Sequence, residues 1–585
     1  MTDASRPVAR ILRVAGPLVE LEYTDGIAMN DLVSLGEAEL PGEVVAISGG
    51  VVTAQAYEYT GGLAPGHLAR PQGGPPAARL GPGLLGGIFD GLLRPLSDSG
   101  DWLLPGTGRK TGRRSWPFSP VVALGDQVTD GQAVGEVRES GPVHTRILVP
   151  PGCTGPVQEI APEGEYPADK VLAVVSGAEV RMTIAWPIRR PRPIRERVDA
   201  RHALHTGQRA IDLLFPVARG STVAVPGGFG TGKTMLLQQI AKWCDADVIV
   251  YVGCGERGNE MADVIAELSA LEDPRTGGRL ADRTVTIANT SNMPMMAREA
   301  SIYTGATVAE YFRDMGQDVV VIADSTSRWA EALREFASRT GALPAEEGYP
   351  ASLASAIAAF YERAGAVTTL GGDRGSMTVI GAVSPPGADP AEPVTAHTER
   401  FVRCLWTLDR ELAYARHYPA VSWADSFSRD AEPPPTSDRA HPPAAEHTAA
   451  GDSDRPALRA EIAGLLAEAD RLADLVDLIG ITALPDQERI SVLGGRLVRE
   501  GLLQQSALSE QDAYCGPEKT SALADAVLTV VARCRELAEA GVPASAVEET
   551  DFGPLLRARE EVGPHDADGV ARLRDTMLAA LQDLA

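Results

Sequence analysis

Gly227-Gly228-Phe229-Gly230-Thr231-Gly232-Lys233-Thr234 decides how this chain is read. Its glycine spacing and terminal Lys-Thr are the pattern of a phosphate-binding loop, and the frame agrees: Ser221-Thr222-Val223-Ala224-Val225 before it reads as a strand and Met235 to Trp243 as a helix. Glycines let the backbone curl until successive N–H groups and the helix N-terminus face the phosphates of a nucleotide. On this reading Gly227, Gly228, Phe229, Gly230, Thr231, Gly232 and Met235 surround the nucleotide, Lys233 reaches its terminal phosphates, and the Thr234 hydroxyl ligates magnesium. A glycine-rich turn with an incidental lysine explains the composition but not the strand-loop-helix order.

Two further parts are sought outward from the loop. Magnesium needs an acidic residue at the end of a buried strand, and Val319-Val320-Val321-Ile322-Ala323-Asp324 ends on Asp324. Hydrolysis needs a carboxylate that orients or deprotonates water, with fixed charge around the γ-phosphate. Val248 to Val252 reads as the next strand, and Gly253-Cys254-Gly255-Glu256-Arg257-Gly258-Asn259-Glu260 as a flexible loop presenting Glu256 and Arg257. On its own a Glu-Arg pair after a strand is usually a surface ion pair.

Along the rest of the chain the texture changes several times. Short strands and Gly-Pro or Gly-Gly breakers (Arg10 to Val14, Leu18 to Tyr23, Glu43 to Ile47, Val51 to Tyr57) predict a β-barrel over residues 1–75, followed by a connector, 76–114. Strands and Gly-Asp turns over 115–190 predict an inserted β-rich domain; they also suit a lipoyl-type carrier, but no lysine sits at the turn to carry a cofactor. Residues 191–430 alternate apolar strands with helical segments, which implies parallel strands joined by crossover helices. Residues 431–457 are rich in Pro, Ala, Ser and Asp and predict a disordered linker. Residues 458–585 return to helical spacing, with Ile462, Leu465, Leu466, Ala469, Leu472, Ala473 and Val476 on one face.

Composition narrows the function classes. With 585 residues, 44% hydrophobic and 23% charged, the chain can bury several cores. A net charge of -25 repels polyanions, so nucleic acid is not an expected partner. The one basic stretch, Arg189-Arg190-Pro191-Arg192-Pro193-Ile194-Arg195-Glu196-Arg197, is short and broken by prolines, and is read as a solvated connector. The six cysteines are scattered without metal-ligand spacing, which suits reduced thiols in a cytoplasm. The N-terminus lacks the apolar core of a signal peptide, and no run reaches the roughly 20 apolar residues that cross a bilayer. Any membrane role is then indirect.

Beyond the loop, long segments resemble the catalytic A subunits of vacuolar- and archaeal-type (V/A-type) rotary ATPases and ATP synthases. They include Thr206 to Gly220, Gly253 to Glu260, Ala323 to Glu335, Arg416-His417-Tyr418-Pro419-Ala420-Val421, Leu80 to Leu96, and Trp116 to Pro151, the last similar to the extra β-domain of those proteins. The resemblance implies an α/β multidomain fold: N-terminal β-barrel, inserted β-rich (bulge) domain, RecA-like P-loop nucleotide-binding α/β core and C-terminal helical domain. It implies a catalytic set of Glu256, positioning the hydrolytic water, with Lys233, Arg257 and Arg328 near the terminal phosphate. Tyr418 stacks on adenine, Gln505 belongs to the nucleotide pocket, and Mg2+ held by Thr234 and Asp324 accompanies ATP or ADP. It further implies partners: non-catalytic B subunits alternating in a hexameric ring and supplying an arginine finger in trans, central and peripheral stalk subunits, and indirectly a membrane sector moving protons or sodium ions. The location implied is cytoplasmic, peripheral to a membrane. Two departures stand out: Gln505-Ser506-Ala507-Leu508 replaces a family segment ending in Phe, and Thr231 takes a loop position where eukaryotic relatives carry cysteine.

Three other classes share parts of this pattern. A hexameric helicase would want a basic channel and aromatic platforms for single strands, which the acidic balance disfavours. An export ATPase shares the lead-in to the loop but lacks the insertion. A non-catalytic nucleotide-binding ring subunit could dispense with Glu256.

Overall fold

The structure is a computed structural model, described for residues 8–96, 114–139, 141–200, 202–273, 275–431 and 455–584. Most of the expected linker, residues 432–454, lies outside the described residues.

Alternating apolar residues in the first seventy positions close into a six-stranded barrel. Around it run Ala9–Ala15, Leu18–Glu22, Val51–Ala56, Leu40–Ser48, Leu32–Leu35 and Leu68–Pro71. Ile11, Val19, Leu21, Val33, Val44 and Val52 fill its interior. Leu32–Leu35 and Leu68–Pro71 close the barrel and were not among the expected strands; at four residues each they are too short to show a period. Closure removes the unpaired edges that an open sheet would expose.

The region from Ser115 to Arg181 forms two four-stranded antiparallel sheets around Trp116, Phe118, Val134, Ile147 and Leu172. Its turn at Gly131 presses on the core, where an added Cβ would lie 2.5 Å from the Gly371 nitrogen.

The central sheet is built from apolar, β-branched runs buried on both faces, as parallel sheets covered by helices require. Neighbouring strands run Cys404–Leu405, Thr222–Pro226, Arg374–Val383, Asp318–Asp324, Val248–Glu256 and Thr284–Thr290, all parallel. Ile88–Phe89 adds a parallel edge strand from far upstream. Two strands thus stand between the loop strand Thr222–Pro226 and Val248–Glu256, although only one helix, Lys233–Trp243, separates them in sequence. The chain crosses over its own sheet here, and ligand crevices in such sheets form at the carboxyl ends of strands at such a point.

C-terminal helices Arg455–Ile479, Asp486–Val498, Pro517–Glu539 and Ala567–Gln582 share one apolar core with the sheet: Leu465, Leu497 and Val527 belong to the same cluster as Ile240, Tyr251 and Trp406.

The basic stretch is solvated only in part: Arg190, Arg195 and Arg197 are exposed, but two of its arginines are tied into the fold. Arg189 bridges Glu43 of the barrel (2.7 Å) and Glu299 of helix Met295–Arg313 (2.6 Å). Arg192 is buried, pairs with Asp314 at 2.6 Å, and donates its backbone N–H to Glu310. Buried acids, not the prolines, decide how this segment packs, because a buried charge needs a partner.

Candidate functional site

The carboxyl ends of Thr222–Pro226, Val248–Glu256 and Asp318–Asp324 open on one side of the sheet, and each carries one of the groups sought in the sequence. Register fixes their relation: Gly253 lies opposite Asp324, which brings the turn carrying Glu256 over the aspartate. After Pro226 the loop bends through Gly230 (φ 80°) and Gly232 (φ 85°), left-handed conformations open to glycine, and Lys233 starts the helix. Thr231 is buried and donates its hydroxyl to the Gly228 carbonyl at 2.9 Å, pinning the loop from within. Phe229 is 92% exposed and Met235 half-exposed, so these two belong to the loop through their backbone while their side chains face outward.

Lys233 lays its ammonium across the loop, donating to the carbonyls of Gly227 and Gly228. The Thr234 hydroxyl donates to Asp324 Oδ2 at 3.3 Å, and the Tyr251 hydroxyl donates to the same oxygen at 3.2 Å. Asp324 is buried, and burial raises its pKa against the opposing effects of Tyr251, Lys233 and Thr234. Burial also lowers the Lys233 pKa, countered by Asp324 and Glu256. Glu256, partly buried at the strand end, is pushed up to about 7, first by burial and then by the Asp324 charge, with Arg328 pulling the other way. Burial is the main cause at both carboxyl groups, and a cation bound beside them would favour their charged forms.

Thr234 and Asp324 fit a magnesium site of the kind that accompanies a nucleotide. Two protein oxygens stand side by side at the mouth of the loop, and magnesium takes its other ligands from phosphate and water. Among the described residues no cluster of three or more His, Cys, Asp or Glu side chains is placed to hold a metal alone.

The two arginines are placed differently. Arg328 stands on helix Thr326–Thr340 and contacts both Glu331 oxygens at 3.0 Å, which raises its pKa. Its Cβ crowds Gly255: an added Cβ there would meet it at 2.7 Å, and Gly255 has φ 75°, so glycine is required for Glu256 to turn over the site. Arg257 is largely exposed, with Glu260 at 3.8 Å.

Tyr418 is 41% exposed, and one edge of its ring lies 3.3 Å from where a Cβ on Gly232 would stand, so the phenol borders the start of the loop helix. Gln505 does not join it by its side chain. The carboxamide is buried and consumed, accepting from Arg209 N and donating to the carbonyls of Gly207 and Asp512. Only its backbone N–H reaches the Tyr418 carbonyl, at 2.7 Å. Leu508 is 92% exposed. Sequence reading missed Tyr251, whose signal is a phenol in a run of valines, a group that needs a polar partner when buried.

Comparisons with known proteins fall on the same architecture. The ATP synthase alpha/beta family, nucleotide-binding domain, matches residues 207–428 and the family's beta-barrel domain residues 11–73. The barrel-sandwich domain of the same family matches 111–189, and the C-terminal domain of V and A type ATP synthase 448–540. The assembled ATPase EscN of the enteropathogenic E. coli type III secretion system shares the fold at TM-score 0.62 and 23% identity, covering 89% of this chain and 100% of that one. The V-type ATP synthase alpha chain of Anaeromyxobacter sp. is 47% identical over 98% of this chain and 99% of its own. That of Halothermothrix orenii is 45% identical over 95% of both chains, and that of Nitrosococcus oceani 47% identical over 97% of this chain and 96% of its own. Identity of this order over almost the whole length shows that the chain belongs to the family of V-type ATP synthase alpha chains and their A-type ATP synthase counterparts.

Proposed function

We propose that this chain is the catalytic subunit of a V/A-type rotary ATPase, hydrolysing or synthesising ATP in a site formed by Lys233, Thr234, Glu256 and Asp324. The observation that carries the assignment is the convergence of Thr234, Tyr251 and Asp324 at the mouth of the phosphate loop, beneath a carboxyl group tuned to about 7. In this reading the loop backbone and Lys233 hold the phosphates, and Glu256 accepts the proton of the attacking water. Thr234 and Asp324 hold Mg2+, which when bound supplies charge neutralisation to the phosphates. Arg328 borders the terminal phosphate, Arg257 lies at its rim, and the Tyr418 face stacks on the base. That Glu256 is present and tuned favours a catalytic over a purely structural nucleotide site.

As a family member the chain works within a multisubunit complex. The finer arrangement is part of the proposal: alternation with non-catalytic B subunits in a hexameric ring, central and peripheral stalks, and attachment to an ion-translocating membrane sector on the cytoplasmic side. Among the described residues no helix is long and apolar enough to cross a membrane.

The assignment is tested by nucleotide binding with and without magnesium. Asp324→Asn keeps the hydrogen bonds to Thr234 and Tyr251 possible but removes the charge. It is expected to weaken Mg2+-dependent ATP binding by about tenfold or more, the size of effect a charge-assisted ligand contributes, and to leave metal-free binding intact. An unchanged magnesium dependence, read by calorimetry, would remove Asp324 from the site.

A further inference from the structure

The loop that carries Tyr418 is tied to a distant junction. Arg209, completely buried at the start of the short helix Arg209–Leu214, sends its guanidinium into segment 502–512 of the C-terminal region. Its Nε donates to the Leu502 carbonyl at 2.8 Å, one terminal nitrogen to the Gln504 carbonyl at 2.6 Å, and the other to Asp512 Oδ1. Asp512 is equally buried; its second oxygen accepts from Ser506 N at 2.7 Å and from Arg559 at 3.1 Å. The Arg209 N–H donates to Gln505 Oε1 at 2.8 Å. From this braced segment the Gln505 N–H grips the Tyr418 carbonyl at 2.7 Å, and the Gln504 carboxamide reaches the Arg416 carbonyl at 3.4 Å.

A buried ion pair adds little net stability but fixes geometry, since each partner must keep its orientation to stay satisfied. Here what is fixed is a segment that holds the backbone of the exposed tyrosine bordering the loop helix. We infer that Arg209, Asp512 and Gln505 are positioning residues for the Tyr418 ring, so that affinity for the base end of the nucleotide, and not for its phosphates, is set by the junction between the nucleotide core and the C-terminal helices. This rests on the proposal that the Lys233 loop holds the phosphates.

The test separates the two ends of the ligand. Binding of Mg-ATP and of Mg-tripolyphosphate, which has no base, is measured by calorimetry on the full chain and on Asp512→Asn, Arg209→Lys and Tyr418→Ala. Asp512→Asn and Tyr418→Ala are each expected to weaken ATP by about fivefold to a hundredfold, the range spanned by loss of one stacked base, and to leave tripolyphosphate unchanged. Arg209→Lys, which keeps a charge for Asp512 but loses the planar fork, falls between them and the parent. Because the pair acts through Tyr418, the double variant Tyr418→Ala with Asp512→Asn loses no more ATP affinity than Tyr418→Ala alone. If Asp512→Asn does not fold, judged by its melting transition, Gln505→Ala is carried through the same comparison. Equal loss of ATP and tripolyphosphate, or full additivity in the double variant, overturns the inference. Binding of both ligands at parental strength in Lys233→Ala would instead overturn the site assignment beneath it.

Discussion

Glu256→Gln is expected to lower ATP turnover in the assembled enzyme by about 10²–10⁴-fold, the share that a positioned proton acceptor contributes, while Mg-ATP still binds. Glutamine preserves the shape of the side chain and can still hydrogen-bond water, but it cannot take a proton. The carboxyl group it replaces is tuned to do so, because burial and the neighbouring Asp324 charge lift it to about 7, close to a working pH. The acid limb of kcat/KM for the parent enzyme should therefore lie near that value, with rate lost as pH falls and the carboxylate is protonated. The same limb should vanish from the residual activity of the variant.

The tuning has a stability signature of opposite sign. Between the ordinary value of 4.5 and about 7 the folded chain keeps a proton on Glu256 that the unfolded chain has released. Stability from this group therefore falls as pH rises through that window, and the penalty persists above it. Glutamine removes the penalty, so the nucleotide-free variant should melt higher than the parent above pH 7 and converge with it toward pH 4.5. Turnover that survives the substitution would take Glu256 out of the mechanism, and a matching loss of ATP binding would make it a structural residue.

How much of this could be read in advance depends on how local each feature is. The phosphate loop was legible because eight contiguous residues and their flanking strand and helix carry the whole pattern. Asp324 could be nominated as a strand end and Glu256 as part of a loop after a strand, which in the structure runs on to Glu256 itself; but their meeting depends on sheet order, and two other strands stand between Thr222–Pro226 and Val248–Glu256. No local periodicity encodes that order. The resemblance bridged the gap for Glu256. It did not for Gln505, because residue type does not reveal that a carboxamide will be spent on Arg209 and Gly207. Arg189 misled for a related reason: its acids lie 146 and 110 residues away, and a proline-broken basic run seen alone resembles solvated chain. The Ile88–Phe89 edge strand was hidden in the connector, since two residues have no period and their partner strand begins far downstream.

Turnover per catalytic site is expected to rise by on the order of 10³-fold or more when the isolated chain is assembled with its partner subunits, as when an arginine finger is supplied in trans. Within the described chain, the cations available to a terminal phosphate are constrained. Lys233 is engaged by two loop carbonyls, Arg328 is held by both oxygens of Glu331, Arg257 lies exposed beside Glu260, and Arg410 brings its guanidinium to the loop, 3.2 Å from where a Cβ on Gly228 would stand. Against them stand Glu256 and Asp324, both with pKa values raised chiefly by burial, at the place where phosphoryl transfer concentrates negative charge. The decisive comparison is single-site turnover of the isolated chain, of the reconstituted ring, and of a ring in which the arginine that the proposal assigns to the neighbouring subunit is replaced by alanine. The last should fall back to the isolated rate with Mg-ATP affinity little changed, because charge that acts on the transition state alters kcat more than ground-state binding. An isolated chain that already turns over at the ring's rate would mean that Arg257, Arg328 or Arg410 supplies the charge in cis, and alanine at that one residue would then carry the loss assigned here to the neighbour.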